Sequence, residues 1–85
     1  MRLTKEEQKW LEDVQVLLMN CPSRRLGFYT IGDDMISVYD FTKEKKINDI
    51  MDQNSRMDFP EATIKAGAET GKHLLFPNNV HSVSG

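Results

Sequence analysis

Apolar positions recur along this chain in several rhythms, and each rhythm predicts an element. Trp10, Leu11, Val14, Leu17 and Leu18 fall at the spacing of one helix face. Thr4 and Glu7 stand ahead of this stripe as a capping box, a Thr hydroxyl and a Glu carboxylate each satisfying a backbone N–H of the first turn. Asn20 and Pro22 end it. The pattern predicts a helix between Thr4 and Asn20, with Lys5, Lys9, Glu12 and Asp13 outward and Trp10 buried. The stretch LGFYTIGDDMISVYDF then changes rhythm to aromatic and β-branched residues around a turn, the mark of a β-hairpin.

A two-residue loop at Asp33-Asp34 suits residues that tolerate left-handed backbone. It pairs Ile31 with Ile36 and Tyr29 with Val38 on one side of the ribbon. On the other it pairs Thr30 with Ser37, Phe28 with Tyr39 and Leu26 with Phe41. A Gly32-Asp33 loop would set Ile31 against Asp34, a poorer match. A second helix is expected from Lys43 to Gln53, capped by Thr42, with Ile47, Ile50 and Met51 inward. Pro60 suits the first turn of a further short helix and Gly67 its stop. HLLFP reads as a third strand ended by Pro77, and VHSVSG as a short edge strand or a loose tail. The expected fold class is α+β: a small antiparallel sheet, hairpin plus C-terminal strand, packed against the N-terminal helix and the second helix, in one domain over residues 1–85.

Composition narrows the function classes. Hydrophobic residues are 39% and charged residues 28% of 85, which suits a soluble globular domain whose core is small. A net charge of −2 supplies no overall field toward nucleic acid or anionic membrane. The single Cys21 excludes an internal disulfide and a cysteine-rich zinc site. MRLTKEEQKW lacks the apolar core of a secretory signal and VQVLLM is far too short to span a bilayer, so a cytoplasmic protein is expected.

The candidate chemistries are thin. GAETGKH approaches a phosphate-binding loop, but Gly67 and Gly71 are one residue too close and His73 stands where a magnesium-binding hydroxyl belongs. A helix stop followed by a flexible loop explains it better. His73 and His81 lie outside any metal spacing. Cys21 reads as a buried thiol past an apolar stripe, and Asp33 and Asp34 as turn residues open to water. No catalytic residue, metal or cofactor is expected.

Two surface features remain. Arg24, Arg25, Lys43, Lys45 and Lys46 converge on the open end of the hairpin, a basic cluster on an otherwise acidic molecule. The second feature follows from the predicted register. If the first helix covers Tyr29, Ile31, Ile36 and Val38, then Leu26, Phe28, Tyr39 and Phe41 point the other way, to be covered by later segments or left as an interface.

The hairpin LGFYTIGDDMISVYD and the ending LLFPNNVHSVSG resemble small accessory proteins of bacteriophage or prophage regions. That resemblance implies a protein that works by occluding or modifying a host or phage protein. The expected function is a non-enzymatic protein-interaction module, an inhibitor or regulator, whose partner is another protein or a second copy of the chain as a homodimer. The alternative is a small nucleic-acid-binding or transcription-linked protein using the basic end.

Overall fold

The computed structural model describes residues 1–83. Helix α1 spans Lys5–Met19, strands β1 and β2 span Leu26–Tyr29 and Met35–Asp40, and a 3-10 turn covers Phe41–Lys43. Helices α2 (Glu44–Gln53) and α3 (Phe59–Lys65) and strand β3 (Glu69–Leu75) follow. The strands form one antiparallel sheet in the order β1-β2-β3, so the fold is α+β, as the sequence pattern predicts.

Local chemistry sets the helix ends. Thr4 Oγ1 accepts from the Glu7 amide at 3.1 Å, and Glu7 Oε1 accepts from the Thr4 amide at 2.8 Å, completing the capping box of α1. Asp58 caps α3, with Pro60 in its first turn. Gly67 ends α3 with φ +70°. Its amide donates to Ile64 O and the Ala68 amide to Thr63 O, the paired bonds of a Schellman stop. Thr42 does not cap α2. Asp40 accepts from both its amide and its hydroxyl, closing the 3-10 turn instead, and α2 starts at Glu44 without a side-chain cap.

The hairpin register is one residue away from that expected. Leu26 pairs with Asp40, Gly27 with Tyr39, Phe28 with Val38 and Tyr29 with Ser37. Five residues, Thr30 to Asp34, separate the strands rather than two. The Thr30 hydroxyl accepts from the Gly32 amide and donates to Met35 O, and Gly32 takes φ +97°. Asp34 is not a turn residue alone. Its carbonyl accepts from the Phe76 amide and its carboxylate from the Val80 amide, tying residues 76–80 to the hairpin tip.

This slip redistributes the faces, because paired residues share a face and a one-residue shift inverts one strand relative to the other. Tyr29, Ser37 and Tyr39 face α2 and α3. Leu26, Phe28 and Val38 face the opposite way. Tyr39, Ile47, Ala62, Ala66 and Ala68 are the buried core, with Tyr29, Ile50, Met51, Met57 and Phe59 packed around them. Phe59 meets Tyr39 edge to face at 5.2 Å and Tyr29 at 5.1 Å. Gly27 makes room for this: a Cβ there would lie 2.6 Å from the Tyr39 ring.

Helix α1 departs most from expectation. None of its residues is buried, and Trp10 is 53% exposed rather than enclosed. Cys21, just beyond it, is exposed too. The cover expected of α1 over one sheet face is not achieved within the chain.

Candidate functional site

The uncovered side of the sheet and the apolar side of α1 face each other across a groove of about 670 Å³. Leu17 and Leu18 line it from α1, and Leu26, Phe28, Val38 and Leu74 from the sheet. Next to it, Trp10 and Val14 stand over Leu74, Leu75, Phe76 and Pro77, around a further 230 Å³. Alternation builds the sheet wall: Thr70, Lys72 and Leu74 fall on the groove side of β3, two residues apart. The wall is almost wholly apolar, Lys72 is its one charged residue, and Asn20, Cys21 and Pro22 past the end of α1 also line the groove.

The four apolar residues expected to form one interface are divided by the register. Leu26 and Phe28 line the groove, and Phe28 is 49% exposed. Tyr39 lies on the other face, 5% exposed, and donates its hydroxyl to Glu44 Oε1 at 2.9 Å. Burial, the Glu44 hydrogen bond and the negative charge of that carboxylate push its pKa up to about 12. Tyr39 is therefore a core residue and no surface anchor. Phe41 is half-exposed in the 3-10 turn, its ring 6.5 Å from that of Tyr39.

Of the basic residues, Lys43 and Arg25 lie beside a shared acid, Asp40. Lys43 is partly buried and donates to Gly67 O at 3.1 Å, so it helps hold the α3 stop in place. Asp40 sits beside it. The hydrogen bond from the Thr42 hydroxyl, with that from the Thr42 amide and the charges of Lys43 and Arg25, holds its carboxyl below the usual range against the opposing effect of desolvation. Arg25 borders a cleft of about 200 Å³ with Leu26, Asp40, Gly67, Glu69 and Thr70. Lys45 lies 3.6 Å from Asp49, while Arg24 and Lys46 are exposed.

Sequence reasoning missed β3 as a wall of the groove. The third strand expected from His73 is present but starts earlier, at Glu69, where a flexible loop was expected, and Gly71 (φ +74°) sits in an irregularity of the pairing between Ser37 and Tyr39. Residues 69–73 are Glu, Thr, Gly, Lys and His, so no apolar–polar alternation marked this half of the strand. It also missed Ser37 and His73, which share a cross-strand position with Oγ and Nδ1 3.2 Å apart. That is nucleophile–base spacing. Neither residue lines the groove or the clefts beside it, so the pair acts as a cross-strand hydrogen bond. Cys21 Sγ donates to Ser23 O.

Among the described residues, no group of three or more His, Cys, Asp or Glu is placed to hold a metal ion, and no helix is long and apolar enough to cross a membrane. Comparison with protein-family models, with curated proteins and with solved structures found no match for the chain.

Proposed function

We propose that this chain is a non-enzymatic protein-interaction module, an inhibitor or regulator that works by covering a surface of another protein. The observation that supports this reading best is the open apolar groove between α1 and the sheet. Leu, Phe and Trp side chains half in water are a standing cost, and such a patch on a small protein is the mark of a surface to be covered. The basic end supplies a second, polar contact region through Arg24, Arg25, Lys45 and Lys46. Its interleaved Asp40, Asp49 and Glu69 suit the mixed charge of a protein partner better than a phosphate backbone. The resemblance to phage and prophage accessory proteins points the same way.

Affinity capture from lysate of the source cell, read by mass spectrometry, tests this with three baits: the wild type, Phe28→Glu, and a quadruple Glu replacement of Arg24, Arg25, Lys45 and Lys46. A protein retained by the wild type and depleted on either variant supports the module. Identical protein sets on all three baits, or nuclease-sensitive material alone, would sink it.

A further inference from the structure

The chain carries more surface than its mass needs. Its accessible area is 7311 Å², whereas a compact monomer of 9.8 kDa exposes roughly 5,200 Å². Its radius of gyration is 15.8 Å, against about 12 Å for a compact chain of this length. The surplus, about 2,000 Å² per chain, matches what one subunit of an obligate homodimer buries, and is well above the roughly 800 Å² per partner of a standard transient complex. An isolated helix of 15 residues is also marginal in water, so α1 needs a packing partner that its own chain does not provide.

We infer that the surface is covered by a second copy of this chain, in a two-fold dimer whose α1 helices lie antiparallel to each other between the two uncovered sheet faces. This rests on the interaction-module reading and names its first partner. Area is one argument for a like partner and charge is the other. The first turn of α1 is acidic, with Glu6 and Glu7, and its last turn carries no basic residue. Lys72 lies instead on the wall of the groove that the C-terminal part of α1 lines through Leu17 and Leu18, and Arg24 and Arg25 follow α1 in the chain. An antiparallel α1 pair brings the acidic start of each helix to the basic edge of the other copy, and the two-fold makes this contact twice. Leu17, Leu18 and Trp10 of one copy then fill the groove of the other.

Sedimentation equilibrium of the full chain tests the dimer. The expected mass is twice 9.8 kDa, with a dissociation constant of roughly 1 μM or tighter. Leu17→Glu should weaken it by about 100-fold or more, since a buried charge meets no partner in the apolar groove. Should that variant fail to fold, the exposed pair carries the test: Glu6→Lys and Lys72→Glu each weaken association about 3–10-fold, and the two together restore it. The emission of Trp10, the single tryptophan, should shift to the red on dilution through the same midpoint. A monomer throughout the micromolar range, or charge changes that add instead of cancelling, overturns the second copy. Capture of another protein that is lost with Phe28→Glu would leave the module reading standing after that failure. A dimer whose capture sets never change would keep the inference and remove the module.

Discussion

On one side of the sheet, Tyr29 and Tyr39 each meet Phe59 edge to face, and Ile47 and three alanines complete the buried cluster. On the other, Phe28 and Leu26 face Leu17 and Leu18 across an open groove. Both sides are apolar, so hydrophobicity alone does not decide which one closes. Side-chain size and tethering do. Ala62 and Ala66 let α2 and α3 pack closely, and the Schellman stop at Gly67 returns the chain directly into β3. Helix α1 presents bulky Trp and Leu residues, and those need a deep counterpart. The sheet offers a shallow wall of six side chains, four of them apolar.

The largest expected effect sharpens this contrast. Ile47 is fully buried, and Ile47→Ala should destabilise the fold by about 2–5 kcal/mol, independently of protein concentration. Leu17 is 76% exposed in the single chain. Leu17→Ala should leave a dilute urea melt within about 0.5 kcal/mol of wild type. If Leu17→Ala costs as much as Ile47→Ala in dilute solution, the two sides are equally built and the contrast fails.

Next in size is Gly27→Ala, whose Cβ must displace the Tyr39 ring from the backbone of β1. A loss of about 1–3 kcal/mol is expected, as for other overpacked cores, with a changed near-ultraviolet spectrum as the ring moves. An unchanged melt would mean that the ring finds another seat and that the finished side is looser than its packing indicates.

The Tyr39 hydroxyl is worth less. Tyr39→Phe leaves Glu44 without its donor and should cost about 1 kcal/mol near neutral pH. The folded protein holds the Tyr39 proton more tightly than the unfolded chain does, with a pKa of about 12 against 10.0. The stabilisation is therefore complete below pH 10 and fades as pH rises from 10 toward 12. Tyr39→Phe should remove that component of the alkaline decline. A wild type whose stability does not change over that window would contradict the enclosure of this hydroxyl.

Smallest is the cap of α1. Thr4→Ala should cost about 0.5–1 kcal/mol of helix stability, seen as lost far-ultraviolet ellipticity in dilute protein and recovered as concentration rises. A loss that concentration does not repair would place the support for α1 inside its own chain.

Local signals made much of this molecule legible. The Thr4–Glu7 box, Pro60 and Gly67 mark real ends because their effects act within a few residues. The hairpin register was not legible. It depends on the Thr30 hydroxyl closing a five-residue loop with Gly32, while Asp34 is drawn away to the Phe76 and Val80 amides, more than forty residues along the chain. That one slip moved Tyr39 from the expected interface into the core and left Phe28 outside. Leu26 and Phe28 were found at the groove and Leu74 was expected in a strand, but Lys72 was hidden by reading the residues between Gly67 and His73 as a loop. The burial of Trp10 was expected from periodicity, which reports that a helix has an apolar side and not which molecule covers it.

The irregularity at Gly71 has a bearing on what this protein cannot become. A three-stranded sheet has two edges, and an edge strand with regular backbone is a template for further strands and, in time, for fibrils. On β3 the extra residues opposite Val38, with Gly71 at φ +74°, break the run of outward amides and carbonyls, and Glu69 and Lys72 place opposite charges on either side of the break. The short β1, four residues long and containing Gly27, is an equally poor template. Ribbon-like growth is thus blocked along the strands, and the exposed apolar area is left to be satisfied face to face, by a contact of finite size.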